Sequence, residues 1–202
     1  MAKPSNAVFA VLPTVTVTVT LAAAIMAAVA GCTGAYSLVA PGRVAIDDEF
    51  SVKSTIAWSE LTYGERHLWT VDGAGLDAIW FYAGIADGEA LIANVDQDED
   101  APRFDADMRP SEVMELVVDS LSRAGAVNVE ASGLRPAAFG AMSGYRFELT
   151  LQTAEGLIKR GLAIGTIDDA KLQLIVYLAA GLYYYDKYRD EAESIFASVE
   201  MI

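Results

Sequence analysis

The chain has 202 residues, with 14 basic against 28 acidic side chains, a formal net charge of −14, one histidine and one cysteine. Such a length suits one domain of ordinary size. One cysteine excludes an intramolecular disulfide, and one histidine excludes a histidine-based metal cluster. The acidic balance argues against sequence-independent nucleic-acid binding, which needs Lys and Arg to neutralise phosphates, and against peripheral attachment to anionic lipid. No metal, no cofactor and no nucleic acid is therefore expected.

Residues 7–31 carry no charge, and Lys3 is the only basic residue before them. Val15 to Ala30 is an apolar run that closes on Val29-Ala30-Gly31-Cys32. A basic start, an apolar core and a small-residue cleavage site describe a secretory signal. With Cys at the cleavage position, the pattern resembles a bacterial lipoprotein signal peptide. That resemblance implies cleavage before Cys32, acylation of its thiol and new amine, and, in two-membrane bacteria, delivery to the outer membrane. Two or three acyl chains anchor stably where one does not. An uncleaved transmembrane helix, a cleaved signal with a free thiol, and a buried strand or helix are the competing readings. Residues 1–31 are thus assigned as signal peptide, 32–48 as a lipid-anchored tether containing Gly34, Pro41 and Gly42, and 49–202 as one domain.

Phe50, Val52, Ile56 and Trp58 share one phase of an expected strand. His67 to Val71 is a second. Asp77 to Ile85 is a third, apolar on both phases: Ile79, Phe81 and Ile85 against Trp80 and Tyr82. Asp87-Gly88 is a hairpin signal leading to a fourth strand, Glu89 to Asn94. After an acidic, irregular stretch from Val95 to Asp107, a helix runs from Pro110, suited to the first helical position, to Gly125. Its expected buried face is Met114, Val117, Val118 and Leu121. Val127 to Ala131 is a short strand.

From Tyr145 to Gln152 the alternation is clean. Tyr145, Phe147, Leu149 and Leu151 point one way and the polar residues the other. A Thr153-Ala154-Glu155-Gly156 link leads to a strand over Leu157 to Thr166, where small Gly161, Ala163 and Gly165 leave room for a helix or ligand. Asp168-Asp169 turns the chain again. The next strand has Leu172, Leu174, Val176 and Leu178 on one face and Ile175 and Tyr177 on the other, so it is expected at the centre of a sheet covered on both sides. A final helix begins near Tyr185, with Asp186 as N-cap and Tyr188, Ala192, Ile195, Phe196 and Val199 on its buried face. About eight strands joined by tight turns, with two or three helices, give an α+β fold: a mainly antiparallel sheet flanked by helices.

This order resembles the PsbP/Mog-like α-β-α sandwich over about Asp48 to Ile202. The features that carry it are Phe50-x-Val52 followed by Trp58, the helix 110–124, the Gly144-Tyr145-Arg146-Phe147 strand start, and Tyr183 to Tyr188 leading to Ile195-Phe196-Ala197-Ser198. The resemblance implies a fold and an accessory or binding role rather than a chemistry, and no family site residue maps onto this chain.

Four candidate sites stand beside plainer alternatives. Asp96, Asp98, Glu99 and Asp100, with Asp105 and Asp107 beyond, space oxygens as a calcium loop does, but Ala101 replaces the needed Gly, so a solvated acidic loop is the alternative. Tyr177, Tyr183, Tyr184, Tyr185 and Tyr188 are either a recognition patch or packing between sheet and helix. Trp69, Trp80 and Tyr82 are either a cleft wall or core. His67, near Glu60 and Glu65, is either a general base or an edge-strand histidine. With no nucleophile pattern, a non-catalytic, membrane-anchored envelope lipoprotein that binds a protein partner or small ligand is expected. An enzyme whose acidic site is assembled from distant residues, or a structural surface protein, is the alternative.

Overall fold

The computed structural model describes residues 36–63, 66–92 and 100–202. Among them the chain runs β1 Ser37–Val39, β2 Gly42–Ile46, β3 Phe50–Ser54, β4 Trp58–Tyr63, β5 Arg66–Thr70 and β6 Asp77–Ile85. It continues with α1 Pro110–Arg123, β7 Val127–Phe139, β8 Met142–Gln152, β9 Ile158–Asp168, β10 Lys171–Ala180, α2 Tyr184–Ala197 and β11 Glu200–Met201. Eight strands form one sheet, β1-β4-β5-β6-β10-β9-β8-β7, and β11-β3-β2 form a second. Every ladder among the described strands is antiparallel. The architecture is the expected α+β sandwich.

The alternation of β10 decides the layering. Leu172, Leu174, Val176 and Leu178 enter a core beneath α1, shared with Tyr145, Phe147, Leu149 and Leu151 of β8. Ile175, Tyr177 and Ala179 enter a second core on the opposite face, closed by α2 and the small sheet. A strand apolar on both phases lies between two covered faces because either face in water would cost its burial energy.

Both helices form where expected, with local corrections. The Glu112 carboxylate accepts the Arg109 backbone N–H at 2.7 Å, satisfying a donor at the start of α1. The buried face of α1 is Val113, Leu116, Val117 and Ser120 rather than one centred on Val118. Met114 and Leu121 pack at its margins. The α2 face is as expected, but its N-cap is Tyr183. Asp186 falls instead in the first turn, where its charge still favours the positive end of the helix dipole.

Four further expectations are corrected. The tether to Asp48 is strand over β1 and β2, which pair with β4 and β3. The phase shared by Phe50 and Trp58 is broken between the two sheets. Ser54 turns the chain there, its hydroxyl accepting the Trp58 indole N–H at 2.8 Å and the Ile56 N–H at 3.3 Å. Glu89 to Ile92 make no ladder with β6: Ala90 bridges Arg103, and residues 93–94 lie outside the described set. The short strand at Val127 extends to Phe139, with bulges between Val127 and Glu130 and between Ser132 and Arg135.

The small residues of β9 serve the sheet itself rather than a ligand. A Cβ on Gly161 would stand 2.5 Å from the Tyr177 carbonyl oxygen and 2.6 Å from the Leu178 side chain. In β6, Gly84 adopts φ +65° beside the Glu49 carboxylate, and the pairing of β10 shifts across Leu172/Leu174. The shift turns Ile85 onto the α1 side, beside Tyr82.

Candidate ligand-binding cleft

β6 sends Ile79, Phe81 and Ala83 to the α2 side and Trp80 and Tyr82 to the α1 side. On the α1 side the helix packs against β7, β8 and β10, and the β4–β5–β6 end of the sheet carries a cleft of about 240 Å³. One wall is aromatic. Tyr63 stands 5.7 Å from Trp80 between ring centroids, and Trp80 stands 6.3 Å from Tyr82 with the planes only 20° apart. Leu91, Ile92, Leu121 and Ala124 supply an aliphatic wall. A crevice of about 10 Å³ runs deeper, to Val117, Ser120, Leu174, Val176 and Leu178.

Arg66 holds this region together. It is 5% exposed, at the first position of β5. Its Nε donates to the Leu91 carbonyl at 3.2 Å, and one terminal nitrogen donates to the Ala90 carbonyl at 3.1 Å and to the Glu89 carboxylate at 2.5 Å. A buried guanidinium persists only with its charge paired and its donors engaged. Here that requirement fixes the irregular 89–91 segment against the sheet. Tyr82 lies beneath, and burial pushes its phenol above the ordinary range against the pull of the Arg66 charge. Ser120, 2% exposed, has no hydrogen-bond partner for its hydroxyl among the described residues. Sequence reasoning missed Arg66 and Ser120. The available signals were a charge at the start of an apolar strand and a hydroxyl in the core phase of a helix.

The aromatics named from sequence divide between the two faces. Trp80 and Tyr82 line the cleft; Trp69, fully buried, lies on the opposite face 4.6 Å from Phe81. Its indole N–H donates to Glu60 at 3.2 Å. The tyrosines cluster as packing. Tyr177, Tyr185 and Tyr188 are buried, and the Tyr177 hydroxyl donates to the carbonyls of Tyr184 and Tyr185 at 3.0 and 2.9 Å. Tyr183 is exposed.

His67 is neither an exposed histidine nor a free base. Its Nδ1 is 2.8 Å from Glu60 and its Nε2 is 2.9 Å from Asp47, a partner 20 residues away on the β2–β3 turn. Burial lowers its pKa, but the hydrogen bonds and charges of the two carboxylates outweigh that and hold it above the ordinary histidine value. Burial likewise works against the Glu60 carboxylate, yet hydrogen bonds from His67, Trp69 and Ser37 hold it below the usual range. With both ring nitrogens engaged, His67 pins the two sheets together. Glu65 lies outside the described residues.

Asp77 is the buried carboxylate among the described residues. Burial raises its pKa, although its two oxygens accept the Val71 and Asp72 N–H groups at 2.8 Å each. It organises the β5–β6 turn. Asp96, Asp98 and Glu99 lie outside the described residues, as does Cys32. Asp105 accepts the Asp107 N–H at 2.8 Å in a turn ahead of α1. Among the described residues no group of acidic, histidine or cysteine side chains is placed to hold a metal ion, and no helix is long and apolar enough to cross a membrane.

No protein-family model and no curated protein matches the chain. Among solved structures it is similar to the cyanobacterial PsbP (CyanoP) of Synechocystis sp. PCC 6803, at 9% identity and a TM-score of 0.53, over 86% of this chain and 96% of that one. It is also similar to LpqN, involved in cell envelope biogenesis of Mycobacterium tuberculosis, at 11% identity and a TM-score of 0.35, over 85% of this chain and 87% of that one. The second likeness is too loose to say anything of this chain. The first, with the two-core layering and the order of strands, shows a PsbP-like α+β fold.

Proposed function

We propose that the protein is a non-catalytic binding module of the bacterial cell envelope, held at the membrane by acyl chains on Cys32. It takes its ligand or partner in the cleft between β6 and the C-terminal half of α1. The observation that carries this reading is the cleft itself: apolar walls, a partly exposed aromatic rim, and one charged group already paired with Glu89 and bonded to two carbonyls. Such a composition binds and orients a molecule without offering it an acid, a base or a nucleophile. The Val29-Ala30-Gly31-Cys32 pattern supports the anchor. The fold alone favours no activity.

Two measurements test it. Protein extracted from its native membrane should begin at Cys32 and carry acyl mass that Cys32→Ala lacks; a full-length, unmodified chain in the membrane overturns the anchor. A photo-reactive side chain placed at Tyr63, on the exposed rim, should trap a discrete partner or ligand. Cross-linked envelopes with no specific partner, together with no ligand in native mass spectrometry, overturn the binding role.

A further inference from the structure

The walls of the cleft are specific about what they accept. Trp80 and Tyr82 stand roughly parallel, their planes 20° apart and their centroids 6.3 Å apart, and Leu91, Ile92 and Leu121 complete the lining, so the space is a slot between aromatic rings and aliphatic side chains. Aromatic faces arranged in this way favour an offset-stacked ring. At about 240 Å³ the slot falls just below the range that accommodates drug-sized ligands, so its occupant is compact.

Charge narrows the class further. Among the described residues Arg66 is the one ionised side chain lining the slot, and it is already paired with Glu89 and bonded to two carbonyls. An anionic ligand would have to break that pair or lose its water without compensation. A cationic ligand meets the Arg66 charge itself. Besides the hydroxyls of Tyr63 and Tyr82 and the Trp80 indole N–H, the polar handle at the inner crevice is the Ser120 hydroxyl, buried without a partner among the described residues. Leaving such a group unmatched costs the fold free energy, which a ligand's own hydroxyl or carbonyl would recover.

We propose that the cleft binds a neutral, planar aromatic molecule of one or two fused rings with one hydrogen-bonding substituent, its rings stacked on the partly exposed Trp80 and its substituent directed at Ser120. This rests on the reading of the protein as a binding module and names the chemistry of its site.

The test uses the full-length chain in lipid nanodiscs, titrated calorimetrically with 2-naphthol, naphthalene, 2-naphthoate and decanoate against empty nanodiscs. Saturable, one-to-one binding of 2-naphthol is expected, with 2-naphthoate at least about tenfold weaker. Ala124→Trp, at an exposed position on the mouth, should weaken 2-naphthol by about tenfold or more by filling the slot. Ser120→Ala should weaken 2-naphthol by about two- to tenfold and leave naphthalene unchanged. Tyr63→Ala, also exposed, gives a second variant that does not touch the core, and it should weaken both neutral probes. Absence of saturable 2-naphthol binding, equal affinity for the carboxylate, or indifference to Ala124→Trp overturns the proposal. Tighter binding of decanoate assigns an acyl chain instead and overturns it too. The module reading is judged separately by Cys32 acylation and by cross-linking at Tyr63. A trapped partner alongside no 2-naphthol binding rejects the ligand class alone.

Discussion

The two faces of the large sheet use the same kinds of residue to opposite ends. On the α2 face, Trp58, Trp69, Phe81 and Tyr188 are buried and interlocked, with Trp58 6.4 Å from Trp69 and 6.0 Å from Tyr188. On the α1 face, Tyr63, Trp80 and Tyr82 make an equally continuous aromatic row, yet it borders open space. The strand β6 contributes to both rows, so neither its composition nor its pairing distinguishes them. What differs is the cover. The α2 face is closed by a helix and a second sheet; on the other face α1 and the loop segments around Leu91 and Phe104 leave a cleft at the β4–β6 end among the described residues. An aromatic side chain is left beside open space when the layer above it falls short.

The sharpest test of that contrast is a pair of truncations on adjacent residues. Phe81→Ala should cost about 3–5 kcal/mol of unfolding free energy, the usual penalty for emptying a fully packed aromatic site. Trp80→Ala should cost roughly 1–2 kcal/mol, since its ring already borders space and less contact is lost. Equal costs in urea denaturation would mean that the α1 face is as tightly filled as the other.

Arg66→Ala should also cost about 3 kcal/mol, because it strands the Glu89 carboxylate and two carbonyls. Arg66→Met with Glu89→Gln should recover most of it, and hydrogen exchange at residues 89–91 should report the loosening in the single variant. Full protection there in Arg66→Ala would show that the segment holds without its guanidinium. Gly84→Ala should cost about 1–3 kcal/mol, for the positive φ and for the Glu49 carboxylate, which stands 2.7 Å from the added carbon.

The smallest effect belongs to His67. Its folded pKa lies above the unfolded value of about 6.5, so its contribution is complete below that pH and fades as pH rises through the folded value. The stability difference between wild type and His67→Gln should therefore be larger at pH 5.5 than at pH 9. Because the ring is partly solvated, it should stay under about 1 kcal/mol. A difference that grows with pH would contradict the pairing with Asp47 and Glu60.

The large sheet was legible because its strands carry their own signal. β8 alternates apolar and polar residues, β6 and β10 are apolar on both phases, and each buries what its pattern offers. The small sheet was not. β1 and β2 are short and largely exposed, with little pattern, so they read as a tether, and β11 meets β3 across some 150 residues of chain. Local periodicity cannot report such a pairing. The α1 register was misjudged at Ser120, where a hydroxyl in the core phase drew the expected face one position round the helix. That same residue now marks the inner end of the cleft. A place where a polar group contradicts its pattern is where a site is to be sought. Of the cleft, Trp80 and Tyr82 were legible as a pair on one strand, but the gap above them depends on where α1 stops. The partner of His67 was hidden for a similar reason, since Asp47 belongs to a turn that sequence assigned to no structure.

The bulges of β7 have a consequence beyond the shape of that strand. β7 is the last strand of the large sheet, 13 residues long, and paired on one side only among the described residues. A straight edge of that length would be a template on which a second copy could continue the sheet, and a third upon the second. Two bulges cut its ladder into short runs, and Pro136 withholds a donor from the last of them. The interruptions protect solubility: they deny copies of this protein a regular surface on which to polymerise, however closely they are crowded.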